Sequence, residues 1–178
     1  IGLLLVQLLR DAGCRRILAV DLDPGRLEKA RRAGATDTIQ AKGSGTDPAN
    51  GTADASDPAE EIRRRTGGGV HAAFDAVGLP ASLATSVASL RKGGTLVLVG
   101  NLSPEVPLPL QAVVTRELSL LGSCASAGEY PDCLERIASG RVDVTLLLSA
   151  TAPLEEGPAW FARLHAGDPG LMKVVLTP

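Results

Sequence analysis

Short aliphatic runs alternate with capped helical segments along most of this chain, and that alternation limits the folds open to it more than any other feature. Residues 16–20 (RILAV), 36–40, 70–77 (VHAAFDAV), 95–99 (TLVLV) and 118–121 read as strands, several with apolar side chains at consecutive positions. Strands of that kind are buried on both faces, as in a parallel sheet. Helical segments stand between them. Asp23 followed by Pro24 gives an N-cap and a first-turn proline, with Leu27 and Ala30 at helical spacing and Gly34 as the stop. Asp57 and Pro58 open a second such helix through residue 66, ended by the glycines at 67–69. A third is expected over 80–90, ended by Gly93 and Gly94, and a fourth near 111–115. Residues 1–12 form a largely apolar helix with Gly13 at its stop. Parallel neighbours need crossover connections, so the expected fold is α/β, a doubly wound parallel sheet with helices on its faces. Beyond 122 the pattern predicts a helix over 130–139, an extended run over 142–148, a helix over 154–165 and a terminal strand over 172–176.

Composition narrows the function classes. With 178 residues, 18 Lys+Arg against 20 Asp+Glu and a formal charge of −2, the chain lacks the basic excess that a nucleic-acid partner requires. Only Phe74, Tyr130, Trp160 and Phe161 are aromatic, which leaves too little material for base stacking or for an interfacial membrane belt. No apolar run approaches the roughly 20 residues that a bilayer needs, so a cytoplasmic location is expected. Cys14, Cys124 and Cys133 form no CxxC pair and no metal-type cluster. Residues 41–57 (AKGSGTDPANGTADASD) hold almost nothing that could be buried and read as an exposed insertion.

In an open parallel sheet, ligands bind at the carboxyl ends of the strands. Attention therefore falls on Asp21, on Val77 with Gly78, on Val99 with Gly100, and on Leu121 with Gly122. A carboxylate at such a strand end accepts hydrogen bonds from a ribose 2′,3′-diol and repels a 2′-phosphate, so Asp21 points to NAD over NADP. Taken alone, Asp21 reads equally as the start of a turn. Its spacing adds weight: Gly2 precedes it by 19 positions, close to the interval between the third glycine of a dinucleotide fingerprint and its acidic residue. On that reading the first two glycines and the first strand lie upstream of Ile1. Arg26 lies on the first turn after Asp21, where it can cover the adenine ribose or stand as a solvated helix cation.

The run IGLLLVQLLRDAGCRRILAVDLDPGRLEKARRAGATD, followed in order by FDAVG, GGTLVLVG, RELSLLGS, IASGRVD and MKVVL, resembles the cofactor-binding half of zinc-dependent medium-chain alcohol, sorbitol and threonine dehydrogenases. The resemblance covers nearly the whole chain outside residues 41–57. It implies that Ile1 and Gly2 sit where a helix N-terminus receives the pyrophosphate. It implies further that Asp21 and Arg26 hold the adenosine ribose, that Ala76 and Val77 border the adenine side, and that Val99, Gly100 and Leu121 line the nicotinamide. The family also implies homo-oligomers formed through the sheet edge near 118–121.

Family members carry their catalytic zinc in a separate N-terminal domain, and nothing here matches those ligand motifs; His71 and His165 stand far apart in sequence with no Cys or carboxylate at ligand spacing. The expectation is thus a Rossmann-type NAD-binding domain over 1–122, lacking its first strand, and a segment over 123–178 that packs on the absent catalytic domain. The whole enzyme would transfer a hydride between an alcohol or polyol and NAD, while this chain alone, with neither catalytic nor metal residues, would not turn over. Two alternatives remain: a zinc-free, NADP-dependent quinone or enoyl reductase of the same superfamily, and a non-catalytic dinucleotide-binding module.

Overall fold

A computed structural model describes residues 1–42 and 57–178. The expected insertion at 41–57 lies almost wholly outside the described residues. In chain order the elements are α1 (Gly2–Asp11), β1 (Leu18–Asp21), α2 (Pro24–Ala33), β2 (Asp37–Gln40), α3 (Pro58–Thr66), β3 (Val70–Asp75), α4 (Pro80–Ser89), β4 (Leu90–Leu98), α5 (Leu110–Thr115), β5 (Ser119–Gly122), α6 (Tyr130–Ala138), β6 (Leu148–Pro153), α7 (Gly157–Ala166) and β7 (Lys173–Thr177). Single turns of 3₁₀ helix at Thr145–Leu147 and Leu154–Glu156 flank β6.

The helix ends follow the local chemistry. The Asp23 side chain accepts from Gly25 N at 2.6 Å and Arg26 N at 3.2 Å, and Gly34, at φ 115°, closes α2. Asp57 accepts from Ala59 N at 3.0 Å and opens α3.

Two compact units emerge. The first gathers Ile1–Gly2, Val20–Leu22 and Ile39–Glu129. Its centre is a three-stranded sheet of order β3-β4-β5, parallel throughout, with α4 and α5 as the crossovers. Leu83, Val87, Leu90, Leu96 and Leu118 form the buried cluster between this sheet and its helices, and Leu96 is fully enclosed. The second unit gathers Leu3–Ala19, Asp23–Thr38 and Tyr130–Pro178. Leu3 and Val6 of α1 pack there with Ile17, Ala30, Ala33 and Ala35. The same unit holds the parallel pair β6-β7, for which α7 is the crossover. Residues 130–178 therefore group with early segments of the chain, so the contacts do not divide it at the expected 122/123 boundary.

Three elements differ from the sequence reading. Helix α4 stops at Ser89, and β4 begins at Leu90 instead of 95. Val70 pairs with Leu90 but Ala72 pairs with Thr95, so β4 carries three more residues than β3 across that step. Gly93 (φ 73°) and Gly94, where a Cβ would sit 2.9 Å from Arg91 O, accommodate the bulge. The glycines read as a helix stop are thus the bend of a strand. Second, the stretch read as extended over 142–148 winds into a 3₁₀ turn, because the Asp143 carboxylate accepts from Thr145 N at 2.8 Å and from Thr145 Oγ1 at 2.5 Å. Strand β6 follows it and was not expected. Third, the helix expected from 154 begins at Gly157, after its own 3₁₀ turn; a Cβ on Gly157 would meet Leu176 Cδ1 at 3.2 Å.

Candidate cofactor site at the strand ends

The chain leaves β3 and β4 in two loops that interlock. Asp75, the last residue of β3, is 3 % exposed. Its Oδ1 accepts from Val77 N at 2.9 Å and Gly78 N at 3.2 Å, and its Oδ2 accepts from Ser82 Oγ at 3.1 Å. A buried carboxylate is tolerated only when its lone pairs are met, and here three donors from the next seven residues meet them. Its backbone carbonyl accepts from Val99 N at 2.9 Å and Gly100 N at 2.8 Å, which ties the β4 exit to the β3 exit. Leu102 N donates to Val77 O at 3.2 Å and Ser103 N to Gly78 O at 3.0 Å. The two backbones run so close that a Cβ on Gly78 would lie 2.3 Å from Gly100 O, and one on Gly100 would lie 2.2 Å from Val77 N. Gly78 also holds φ at 77°. Only glycine satisfies both demands.

Of the residues expected from sequence, Ala76, Val77, Val99 and Gly100 are brought together in this double loop. Val77 is 40 % exposed, leaving an apolar face open at the strand ends. Leu121 lies in β5 opposite Val97 and is 52 % exposed. Ile1, Gly2 and Asp21 belong to the same compact unit as the double loop. Ile1 precedes α1 and is 66 % exposed, Gly2 is the first residue of α1, and a Cβ there would meet open space. Helix geometry leaves the first-turn N–H groups of α1 without intrahelical acceptors. Asp21 ends β1, half-buried, its backbone carbonyl accepting from Ala41 N at 3.0 Å. Arg26 is exposed on the first turn of α2 and belongs to the second unit.

Asp75 and Ser82 escaped the sequence reading as members of the site, whereas Gly78 stood in it only as the strand-end neighbour of Val77. The signal was present: an Asp after the apolar run AAF, followed three residues on by Gly. The three cysteines are exposed and free, and His71 and His165 are exposed. Among the described residues no group of three or more His, Cys, Asp or Glu is placed to hold a metal ion. No helix among them is long and apolar enough to cross a membrane.

With strand-end loops, a helix N-terminus and a strand-end carboxylate in place, comparison with known proteins decides the family. The zinc-binding dehydrogenase model matches residues 1–139. The chain belongs to the zinc-binding dehydrogenase family. Among its relatives, sorbitol dehydrogenase of Bacillus subtilis is 34 % identical over 180 residues, covering 100 % of this chain and 48 % of that protein. D-xylulose reductase A of Aspergillus niger is 31 % identical over 170 residues, covering 94 % and 45 %. The solved structure of 2R,3R-butanediol dehydrogenase from Bacillus subtilis superposes with a TM-score of 0.81 at 27 % identity, over 99 % of this chain and 48 % of that one. This zinc-binding dehydrogenase chain thus spans about half the length of the relatives it matches, and its α/β fold of parallel strands is the Rossmann-type fold of their second half. The family's metal finds no ligand set among the described residues.

Proposed function

We propose that this chain is the NAD-binding portion of an oxidoreductase that moves a hydride between an alcohol or polyol and NAD. The observation that carries the reading is the interlocked pair of loops after β3 and β4, where Gly78 and Gly100 bring two backbones to a separation that no side chain allows. Such a rigid, side-chain-free edge at the carboxyl ends of parallel strands lets a flat ring lie against backbone. The names of the matched relatives, a sorbitol dehydrogenase, a xylulose reductase and a butanediol dehydrogenase, supply the substrate class.

On this reading Ile1 and Gly2 present N–H groups and the positive end of α1 to the pyrophosphate. Asp21 accepts hydrogen bonds from the adenosine ribose hydroxyls, and the Arg26 guanidinium covers that ribose. Ala76 and Val77 border the adenine side, while Val99, Gly100 and Leu121 hold the nicotinamide ring against an apolar, water-poor surface. The nicotinamide, when bound, supplies hydride acceptance at its C4; the chain's own task is position. Catalytic groups and zinc would come from the remainder of the enzyme, whose site for a small alcohol this chain borders. Support for that division comes from α6, which buries no residue and exposes Tyr130, Leu134 and Ile137, a surface suited to packing against a further domain. Strand β5 lies at the edge of β3-β4-β5 and offers a pairing edge for a second copy. A cytoplasmic location and the absence of nucleic-acid or membrane partners complete the reading.

Titrating the chain with NADH and with NADPH, followed by nicotinamide fluorescence, tests it. NADH should bind at least about tenfold more tightly, and Asp21→Ala should erase the preference, since the ribose diol loses its acceptor while the 2′-phosphate loses its repulsion. Tighter binding of NADPH would refute NAD as the cofactor, and no binding of either would refute the site. Alcohol-dependent reduction of NAD by the chain alone would refute its division from the catalytic groups.

A further inference from the structure

Gln7 is buried to 1 % exposure in the middle of the apolar stripe of α1, between Val6 and the contacts of Leu3, where a leucine would serve ordinary packing. Its amide pairs with both polar groups of one residue's backbone. Nε2 donates to Asp143 O at 3.0 Å, and Oε1 accepts from Asp143 N at 2.6 Å. This is the two-bond pairing that neighbouring strands make, here between a side chain and the backbone that follows α6. Asp11, one turn further along α1, adds an ion pair to Arg136 and faces Arg141 at 3.8 Å. Val142, between these partners, is buried. The stretch from Arg136 to Asp143 therefore runs beside α1 as a brace.

Apolar contacts such as those of Leu3 and Val6 tolerate a helix sliding or turning by a fraction of a residue. A bidentate amide pairing does not, because both hydrogen bonds lengthen together when either partner shifts along the helix axis. Gln7 lies five residues past Gly2, about 7.5 Å along the axis, so whatever fixes Gln7 fixes the register of the first turn. Asp143 is itself held: its carboxylate serves Thr145, whose hydroxyl is the main cause, with Thr145 N, of a carboxyl held below the usual range.

We propose that Gln7 is the positioning residue of the phosphate-binding end of α1, fixing that helix to the Asp143 peptide so that its first-turn N–H groups are set before the cofactor arrives. The inference rests on the proposed cofactor reading. It separates from a purely structural role because α1 would serve the pyrophosphate and not the nucleoside. Loss of the pairing therefore weakens ligands in proportion to their dependence on the phosphates.

The test measures binding of ADP-ribose, NADH and adenosine to the unaltered chain, to Gln7→Met and to Gln7→Glu, with circular dichroism and thermal unfolding on each. Gln7→Met keeps the length and removes both hydrogen bonds. Gln7→Glu keeps the acceptor for Asp143 N and loses the donor to Asp143 O, and so remains informative if Gln7→Met fails to fold. The expected result is a loss of affinity of about tenfold or more for ADP-ribose and NADH in Gln7→Met, with adenosine changed less than about twofold. Gln7→Glu should fall between. Equal losses for adenosine and ADP-ribose in a folded variant, or no loss in either variant, would overturn the positioning role while leaving the cofactor reading intact. Failure of the unaltered chain to bind NADH would overturn that reading, and the role of Gln7 with it.

Discussion

Replacing Gly78 by alanine should be among the most damaging single-methyl changes in this chain. Two costs combine at that position. The backbone holds φ at 77°, which disfavours any residue with a Cβ by about 1–2 kcal/mol. The new methyl would also lie 2.3 Å from Gly100 O and 2.4 Å from Gly100 C. Reaching an ordinary contact near 3.4 Å requires the two loops to part by about 1 Å. That movement breaks the hydrogen bonds from Leu102 N to Val77 O and from Ser103 N to Gly78 O, worth about 1 kcal/mol each. The sum is about 3–4 kcal/mol, a large share of the 5–15 kcal/mol typical of a domain. Gly93 provides the control, since its φ of 73° is nearly the same but nothing lies within 4 Å of the position a Cβ would take. Gly93→Ala should therefore carry only the backbone term, about 1–2 kcal/mol. Urea unfolding of the three proteins, followed by circular dichroism, yields the difference directly. Gly78→Ala should be the less stable variant by about 2 kcal/mol or more and should lose NADH binding more than stability alone explains. Equal losses in the two variants, to within about 0.5 kcal/mol, would show that the loops are not pressed together and would refute the argument.

Asp75→Ala removes the acceptor of three donors and should cost about 2–4 kcal/mol by urea unfolding, against about 1 kcal/mol for Ser82→Ala, which removes one of them. Leu96→Ala, at a fully enclosed core position, should cost about 2–5 kcal/mol by the same measurement. Glu61 accepts from Arg64 and Arg65, whose hydrogen bonds hold its carboxyl down at about 2 against an ordinary value of 4.5. Because the folded carboxyl titrates lower, the unfolded chain binds more protons between those values. The contribution is thus complete above about pH 4.5 and is lost as the pH falls toward 2. Carbon-detected NMR should place the Glu61 midpoint well below those of exposed glutamates, and Glu61→Gln should remove this part of the acid sensitivity; a midpoint near 4.5 would contradict the pairing.

Wherever a short stretch of sequence contains its own physics, the sequence alone sufficed. Asp23, Pro24 and Gly34 delimit α2, and Asp57, Pro58 and Gly67 delimit α3, because capping satisfies orphan N–H and C=O groups with atoms only a few residues away. The consecutive apolar side chains of 95–99 announced a strand, with Leu96 at its buried centre. The position of Asp21 at the end of β1 follows from the same local pattern. Tertiary structure decided what depends on a distant partner. Gly93 and Gly94 read as a helix stop until pairing of β4 with β3 turned them into a bulge, since register belongs to two strands and is written in neither. Strand β6 (LSATAP) alternates, but its residues are mostly small, lack aromatic side chains and end in proline, so it reads as a strand only with β7 beside it. Asp75 and Gln7 look like a strand acid and a helix amide. Only the fold shows that one knots the two loops at the proposed site and that the other holds α1 to a peptide 136 positions away, because a buried polar group takes its meaning from the atoms that meet it.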